Sequence, residues 1–318
     1  MALPPIKPEN KAVEPIPPDN KYMNRSSIIL ALAWSLVSSS VSAQGIYSPP
    51  SGQQHPSPPV VPAYCVFCGD TIRFDTVEKY ERMDRELLNF TYMHTTSTLM
   101  LKRSGRYFPQ IEPVLKAKGI PDDFKYLCVI ESNLDPKAVS VSGAAGLWQF
   151  TKATAREFGM VVNNEVDERY NIDKETEAAC TYILRAYKQF KDWFNVAASY
   201  NCGMGGVSRR ISEQKQSKFA DLLLPEETSR YVYRILAAKM LFTNPSAFGF
   251  EVEERYPYFE PLHTVTVSGS IENLADFAEK YGITYAELKR ANLWLRDSKL
   301  VNNELRTYKI TIPRPGTF

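Results

Sequence analysis

The sequence predicts a mainly α-helical domain followed by a small α+β module. Between residues 76 and 250, apolar positions recur at helical spacing in one segment after another, with helix-type starts and stops. Beyond residue 262 the pattern changes to strand, helix, helix, strand within about 50 residues. The chain of 318 residues exceeds one small domain and can bury a sizeable core.

The N-terminus has two parts. Residues 1–22 are rich in Pro, Lys and Glu, and Met23 then opens "MNRSSIILALAWSLVSSSVSAQG". Arg25 supplies a positive charge, Ile28 to Val37 an apolar stretch, and Val41-Ser42-Ala43 a small-residue cleavage site. This reads as an export signal within an extension spanning 1–43, with translation starting at Met23 and cleavage after Ala43. The apolar run is too short for a comfortable membrane span, so the membrane is expected as a partner only through this signal. Residues 44–75 begin with a Pro/Ser/Gly/Gln-rich stretch and read as a linker.

The helical domain is expected over 76–250. It opens with "TVEKYERMDRELLNFTYMHTTSTLMLKRSGRY", and "YFPQIEPVLKAKG" follows with Ile111, Val114 and Leu115 on one face and Gly119 as a stop. Pro121 opens the next helix. "DKETEAACTYILRAYKQF" has acids first and bases last, which complements the helix dipole. "DWFNVAASYNCGMGGV" reads as a short apolar helix ending in a Gly-rich turn, and "PEETSRYVYRILAAKMLF" as a helix starting at Pro225.

The last module spans 262–318. "HTVTVSG" alternates like a strand. "SIENLADFAEKYG" places Ile271, Leu274, Phe277, Ala278 and Tyr281 on one helical face. "TYAELKRAN" is a second helix with Thr284 as N-cap, and "TYKITIP" is a closing strand.

Composition excludes some functions. A net charge of +2 gives no electrostatic pull toward nucleic acid. The three histidines, His55, His94 and His263, are far apart, and no His/Cys cluster has zinc-ligand spacing. No metal and no cofactor are expected. Of the five cysteines, Cys65 and Cys68 form a CxxC without a βα redox context, consistent with a local disulfide or two free thiols. Pairing among Cys128, Cys180 and Cys202 is not readable from sequence.

One carboxylate stands out. Phe124, Leu127, Cys128 and Glu131 fall at i, i+3, i+4 and i+7, so Glu131 extends an apolar helix face. Desolvation there disfavours the charged form, raises the pKa and prepares a general acid. The competing reading is a helix-end Glu that swings out to water. Ser132, Asn133 and Ser140 supply small polar groups nearby, and "SGAAGLW" is a run of small residues that lets a ligand approach backbone closely. Trp148 and Gln149 offer a flat face and an amide, which suit a sugar chain. A tight turn followed by a core Trp fits the same letters.

The ordered set Glu131-Ser132, Gly146-Leu147-Trp148-Gln149, Ser199-Tyr200-Asn201-Cys202-Gly203 and Glu227-Thr228-x-x-Tyr231-Val232 resembles the lytic transglycosylases of the soluble/goose-lysozyme-like superfamily, most of all the membrane-bound D group. The resemblance covers residues 95–245. It implies a lysozyme-like helical catalytic domain with a groove for peptidoglycan glycan strands. The implied reaction cleaves the β-1,4 bond between N-acetylmuramic acid and N-acetylglucosamine, leaving a 1,6-anhydromuramic end. By the resemblance, Glu131 is the single acid/base, and Ser132, Ser140, Gly146, Leu147, Trp148, Gln149, Tyr200, Asn201 and Glu227 bind substrate. The chain departs from the family pattern at Ser199, at Cys202 and at Phe150-Thr151-Lys152.

A hydrolysing glycosidase ordinarily uses two carboxylates, whereas an intramolecular nucleophile needs one acid/base. Asp135 reads as a turn residue before Pro136, while Asp167 and Asp173 stay open as second carboxylates. A hydrolytic muramidase and a non-catalytic peptidoglycan-binding protein are therefore the rival readings. The C-terminal segment resembles a LysM module, departing at Ser268-Gly269-Ser270. That resemblance implies glycan binding, and the competing reading is a degenerate module that only packs on the catalytic domain; if it binds glycan, its removal should weaken binding to sacculi more than turnover of soluble fragments.

Overall fold

The computed structural model describes residues 57–318. The expected export signal, its cleavage site and the start of the linker lie outside these residues. The described part is mainly helical, with a small α+β region at its C-terminal end.

The chain enters through a hairpin, β1 (Tyr64–Phe67) and β2 (Asp70–Arg73), paired antiparallel from Tyr64↔Arg73 to Phe67↔Asp70. Its two-residue turn, Cys68-Gly69, has φ of 55° and 91°, which suits a type I′ connection. These residues correct the linker reading. Phe67 and Ile72 are buried in the main core, because alternation turns one face of the short hairpin inward. All five cysteines, Cys65 and Cys68 included, are free thiols.

Seven helices follow: α1 (Val77–Tyr92), α2 (His94–Ala117), α3 (Lys125–Ser132), α4 (Lys152–Glu157), α5 (Ile172–Phe190), α6 (Trp193–Gln214) and α7 (Glu226–Thr243). Thr76, Thr151, Asn171 and Asp192 cap the starts of α1, α4, α5 and α6 through side-chain oxygens. The apolar helix beginning at Trp193 does not end in its Gly-rich stretch as the sequence suggested. It kinks at Gly203, whose φ is 77°, and continues as helix to Gln214. The short α3 is the most enclosed helix. It packs against α2 and α7, and Leu127, Cys128 and Val129 have no exposed surface.

The C-terminal part pairs β3 (His263–Val267) with β4 (Tyr308–Ile312), antiparallel, around α8 (Leu274–Lys280) and α9 (Tyr285–Ala291). Thr284 and Glu287 form a capping box at the start of α9. The connecting chain is fixed to α2. The Tyr256 amide donates to the Lys102 carbonyl (2.8 Å), Arg255 Nη1 to Ser104 Oγ (2.6 Å), and Arg106 Nε to the Pro257 carbonyl (3.1 Å).

The module also shares a core with the helical part. Val166, Tyr170 and Ala145 cluster with Leu274, Trp294 and Leu295. Val166 bridges Leu295, the Asp167 amide donates to the Trp294 carbonyl (2.9 Å), and the Arg296 amide donates to the Glu165 carbonyl (2.7 Å). The Arg296 guanidinium lies 4.5 Å from the Tyr170 ring centroid. Among the described residues, no helix is long and apolar enough to cross a membrane.

Candidate active site

Glu131 occupies the last turn of α3, above the buried Phe124, Leu127 and Cys128. The chain turns sharply just after it, because Asn133 and Leu134 both take left-handed backbone with φ of 53°. Neither is glycine, so the turn is strained. The fully buried Leu134 side chain holds it in place.

Glu131 is half-buried, and its Oε1 accepts a 2.6 Å hydrogen bond from the Tyr231 hydroxyl. Burial pushes its carboxyl up to about 7. The Tyr231 hydrogen bond and the Arg234 charge pull it back down, while the Glu227 charge adds to the rise. Burial outweighs the rest, so both protonation states are accessible near neutrality. Tyr231 is itself buried, and its phenol is raised first by that burial and then by Glu131.

Three of these groups share one face of α7. Glu227, Tyr231 and Arg234 fall at i, i+4 and i+7, so one helix surface addresses the carboxyl. The Thr228 hydroxyl donates to Asn201 Oδ1 at 2.8 Å and ties α7 to α6. Glu227 is exposed, and Asn201 is half-buried.

Loop 138–150 is joined to this neighbourhood through Tyr200, whose phenol feels the Glu131 charge. Small bridges, Val139↔Ala145 and Ala145↔Phe150, close it on itself. Gln149, at φ 51°, spends its amide nitrogen on the carbonyls of Ala138 (3.1 Å) and Gly146 (2.8 Å). Ser140 is exposed, and its Oγ accepts from the Ala144 amide at 3.0 Å. The Tyr200 hydroxyl donates to the Trp148 carbonyl at 2.9 Å, which ties α6 to this loop. The Tyr200 phenol is raised well above its ordinary range, first by burial and then by the Glu131 charge.

The structure departs from the sequence reading at four residues. Trp148 and Leu147 have no exposed surface and present no face to a ligand. Trp148 is a core residue: its indole nitrogen donates to Thr176 Oγ1 and its amide to Glu175 Oε2, both at 3.0 Å. Gly146 is a glycine for packing within the protein. A Cβ there would lie 1.8 Å from the Arg169 carbonyl oxygen and 2.4 Å from Glu175 Oε2. Ser132 is buried and returns its hydroxyl to the Cys128 carbonyl of its own helix (2.9 Å), so it presents nothing to a ligand.

Several contributors were not singled out from the sequence. Tyr231 stood inside the quoted Glu227-to-Val232 motif without a role. Glu175 is fully buried, with its pKa pushed well up by burial against the pull of the Trp148 and Leu147 amides. Arg169 is buried and bidentate to Asp167 (2.9 and 2.7 Å), and it donates to the carbonyls of Gly143 (2.7 Å) and Phe150 (3.2 Å). That pairing removes Asp167 as a second carboxylate. Asp135 is the turn residue expected: its Oδ1 accepts from the Lys137 amide.

Comparison with known proteins covers the α3 part of this site but stops short of α7 in the domain match. Residues 111–223 match the transglycosylase SLT domain, and residues 263–316 match the soluble lytic transglycosylase C-terminal LysM-like domain. Membrane-bound lytic murein transglycosylase D of Escherichia coli is 30% identical over 242 residues, spanning 74% of this chain and 52% of that protein. Membrane-bound lytic murein transglycosylase F of Yersinia pestis is 24% identical over 221 residues, 64% of this chain and 42% of the relative. This chain thus spans about half the length of these relatives or less. A 70 kDa soluble lytic transglycosylase of Escherichia coli aligns in structure over 47% of this chain and 27% of its own, at 21% identity and a TM-score of 0.38. This protein therefore carries an SLT transglycosylase domain followed by a C-terminal LysM-like domain, and it is a homologue of membrane-bound lytic murein transglycosylase D.

Proposed function

We propose that this protein is an exported murein lytic transglycosylase of the cell envelope, with Glu131 as its one acid/base. The observation that carries this reading is a half-buried carboxyl raised to about 7 and held by a tyrosine hydroxyl. Protonated Glu131 donates its proton to the glycosidic oxygen between N-acetylmuramic acid and N-acetylglucosamine, and the C1–O bond breaks. The resulting carboxylate then takes the proton from the muramic C6 hydroxyl as O6 bonds to C1. The product is a 1,6-anhydromuramic end, no water is consumed, and Glu131 is protonated again. The Tyr231 hydroxyl favours the carboxylate form during the cycle.

In this reading Ser140, Gln149, Tyr200, Asn201 and Glu227 shape the groove, and the LysM-like module holds glycan. Glu175 and Asp167 are committed to internal contacts, which leaves Glu227 as the exposed carboxylate whose charge reaches Glu131. In a hydrolase Glu227, whose charge reaches Glu131, would be the first candidate for the second carboxylate, ahead of the exposed Asp173. Mass spectrometry of muropeptides released from purified sacculi separates the two. Ends lighter by one water and resistant to borohydride mean transglycosylation. Reducing muramic ends mean hydrolysis.

Tyr231→Phe tests the protonation cycle. It removes a hydrogen bond that favours the ionised form, so the Glu131 pKa rises further. The alkaline limb of the kcat–pH profile, where the acid is lost, should move to higher pH. A hydrogen bond to a charged group contributes about 1.5–3 kcal/mol, so kcat should fall roughly 10- to 100-fold. An unshifted limb would mean that the alkaline limb does not report Glu131.

A further inference from the structure

A cavity of about 180 Å³ opens beside the catalytic turn, between the end of α1, the start of α2 and α7. Glu86, Asn89, Asn133, Arg230 and Arg234 supply its polar lining. Glu86 is fully buried but its charge is compensated. It accepts from Arg230 Nε (2.8 Å), Arg85 Nε (3.2 Å) and Asn89 Nδ2 (3.1 Å).

Arg234 differs from its neighbours. Among the described residues it has no carboxylate within ion-pair distance, and its one hydrogen bond is a long 3.3 Å contact to the Ile130 carbonyl. Arg82, Arg85 and Arg230 are all paired with glutamates. Arg234 thus leaves one uncompensated guanidinium on the cavity wall, next to the residue that precedes Glu131. Its charge reaches Glu131 without bridging to it. Asn133, exposed and in left-handed backbone, lines the same cavity.

A planar guanidinium with free donors selects for a carboxylate over a neutral hydroxyl. Sugar rings of a glycan strand offer hydroxyls and amides. The carboxylates of murein belong to the peptide attached to the lactyl group of muramic acid. We propose that the Arg234 cavity is a subsite for a carboxylate of that peptide, so that the enzyme favours peptide-bearing strands over stripped ones. This rests on the transglycosylase reading above.

The test measures kcat/KM on peptide-bearing glycan strands and on the same strands after amidase removal of the peptides, for the wild type, Arg234→Gln and Arg234→Lys. Thermal melts confirm that the variants fold. The wild type should prefer peptide-bearing strands, and Arg234→Gln should cut that preference roughly 10-fold or more, mainly through KM. Arg234→Lys should keep part of it, since the charge remains and the bidentate fork is lost. Equal losses on both substrates, with a shifted pH profile, would mean that Arg234 only tunes Glu131 and would overturn the subsite. A wild type without preference would overturn it as well. A wild type that cleaves neither substrate would instead remove the transglycosylase reading itself.

Discussion

Glu131→Gln is expected to lower glycan cleavage by roughly 10³-fold or more, since one side chain supplies both the acid and the base step. Sacculus binding should survive, because the amide keeps the shape of the carboxyl and still accepts from Tyr231. Stability should change in a pH-dependent way. The folded pKa of about 7 exceeds the ordinary carboxyl value of 4.5, so the folded state holds this proton more tightly than the unfolded chain does. The favourable contribution is complete below about 4.5 and is lost as pH rises toward about 7. Above that, the buried charge destabilises the protein by an upper bound of about 3 kcal/mol. Glutamine carries no such charge, so the variant should melt higher than the wild type at pH 8 and no higher at pH 4. Retained activity would sink the mechanism. An unchanged melting difference across pH would mean that Glu131 is solvated after all.

The legible parts of this protein are those governed by local periodicity. Glu131 was readable because the carboxyl continues an apolar helix face, and helical spacing alone brings it above Phe124, Leu127 and Cys128. Thr284 announced the start of α9 for the same local reason. Trp148 was not readable. The same Gly-Leu-Trp-Gln letters serve a stacking platform or a core plug, and Thr176 and Glu175, distant in sequence, decide for the core. Gly146 was misread as room for a ligand, because nothing local reveals that the Arg169 carbonyl needs that space. The hairpin at Tyr64–Arg73 was hidden by the Pro-rich stretch before it, although Cys68-Gly69 is a workable two-residue turn. At Trp148 and Gly146 a contact between distant segments overrode the local pattern, whereas at the hairpin the local signal was present and masked by its neighbours.

The second large effect concerns the C-terminal module, which looks separable in sequence. Its packing gives the opposite expectation. Leu295 is buried against Val166, within the cluster that contains Tyr170 and Ala145. Asp167 and Arg169 lie in the same segment, and Arg169 holds the carbonyls of Gly143 and Phe150 at both ends of the loop that carries Gln149. A disturbance at Leu295 therefore has a short covalent and hydrogen-bonded route to that loop. Leu295→Asp would bury a carboxylate without a partner, which should destabilise by roughly 3–5 kcal/mol. For a chain of this size that lowers Tm by about 2–4 °C per kcal/mol. Turnover of soluble, peptide-free glycan oligomers should fall together with sacculus binding, because misplacing that loop by about 1 Å can slow a reaction on the order of 100-fold. Leu305→Asp in the same module is the control, since Leu305 is 73% exposed and should leave both readouts intact. If Leu295→Asp lost only sacculus binding, the module would be a binding appendage and the loop would stand without it. Parallel losses in a variant that thermal melts show to be folded at the assay temperature would make residues 263–316 a support of the loop that carries Gln149.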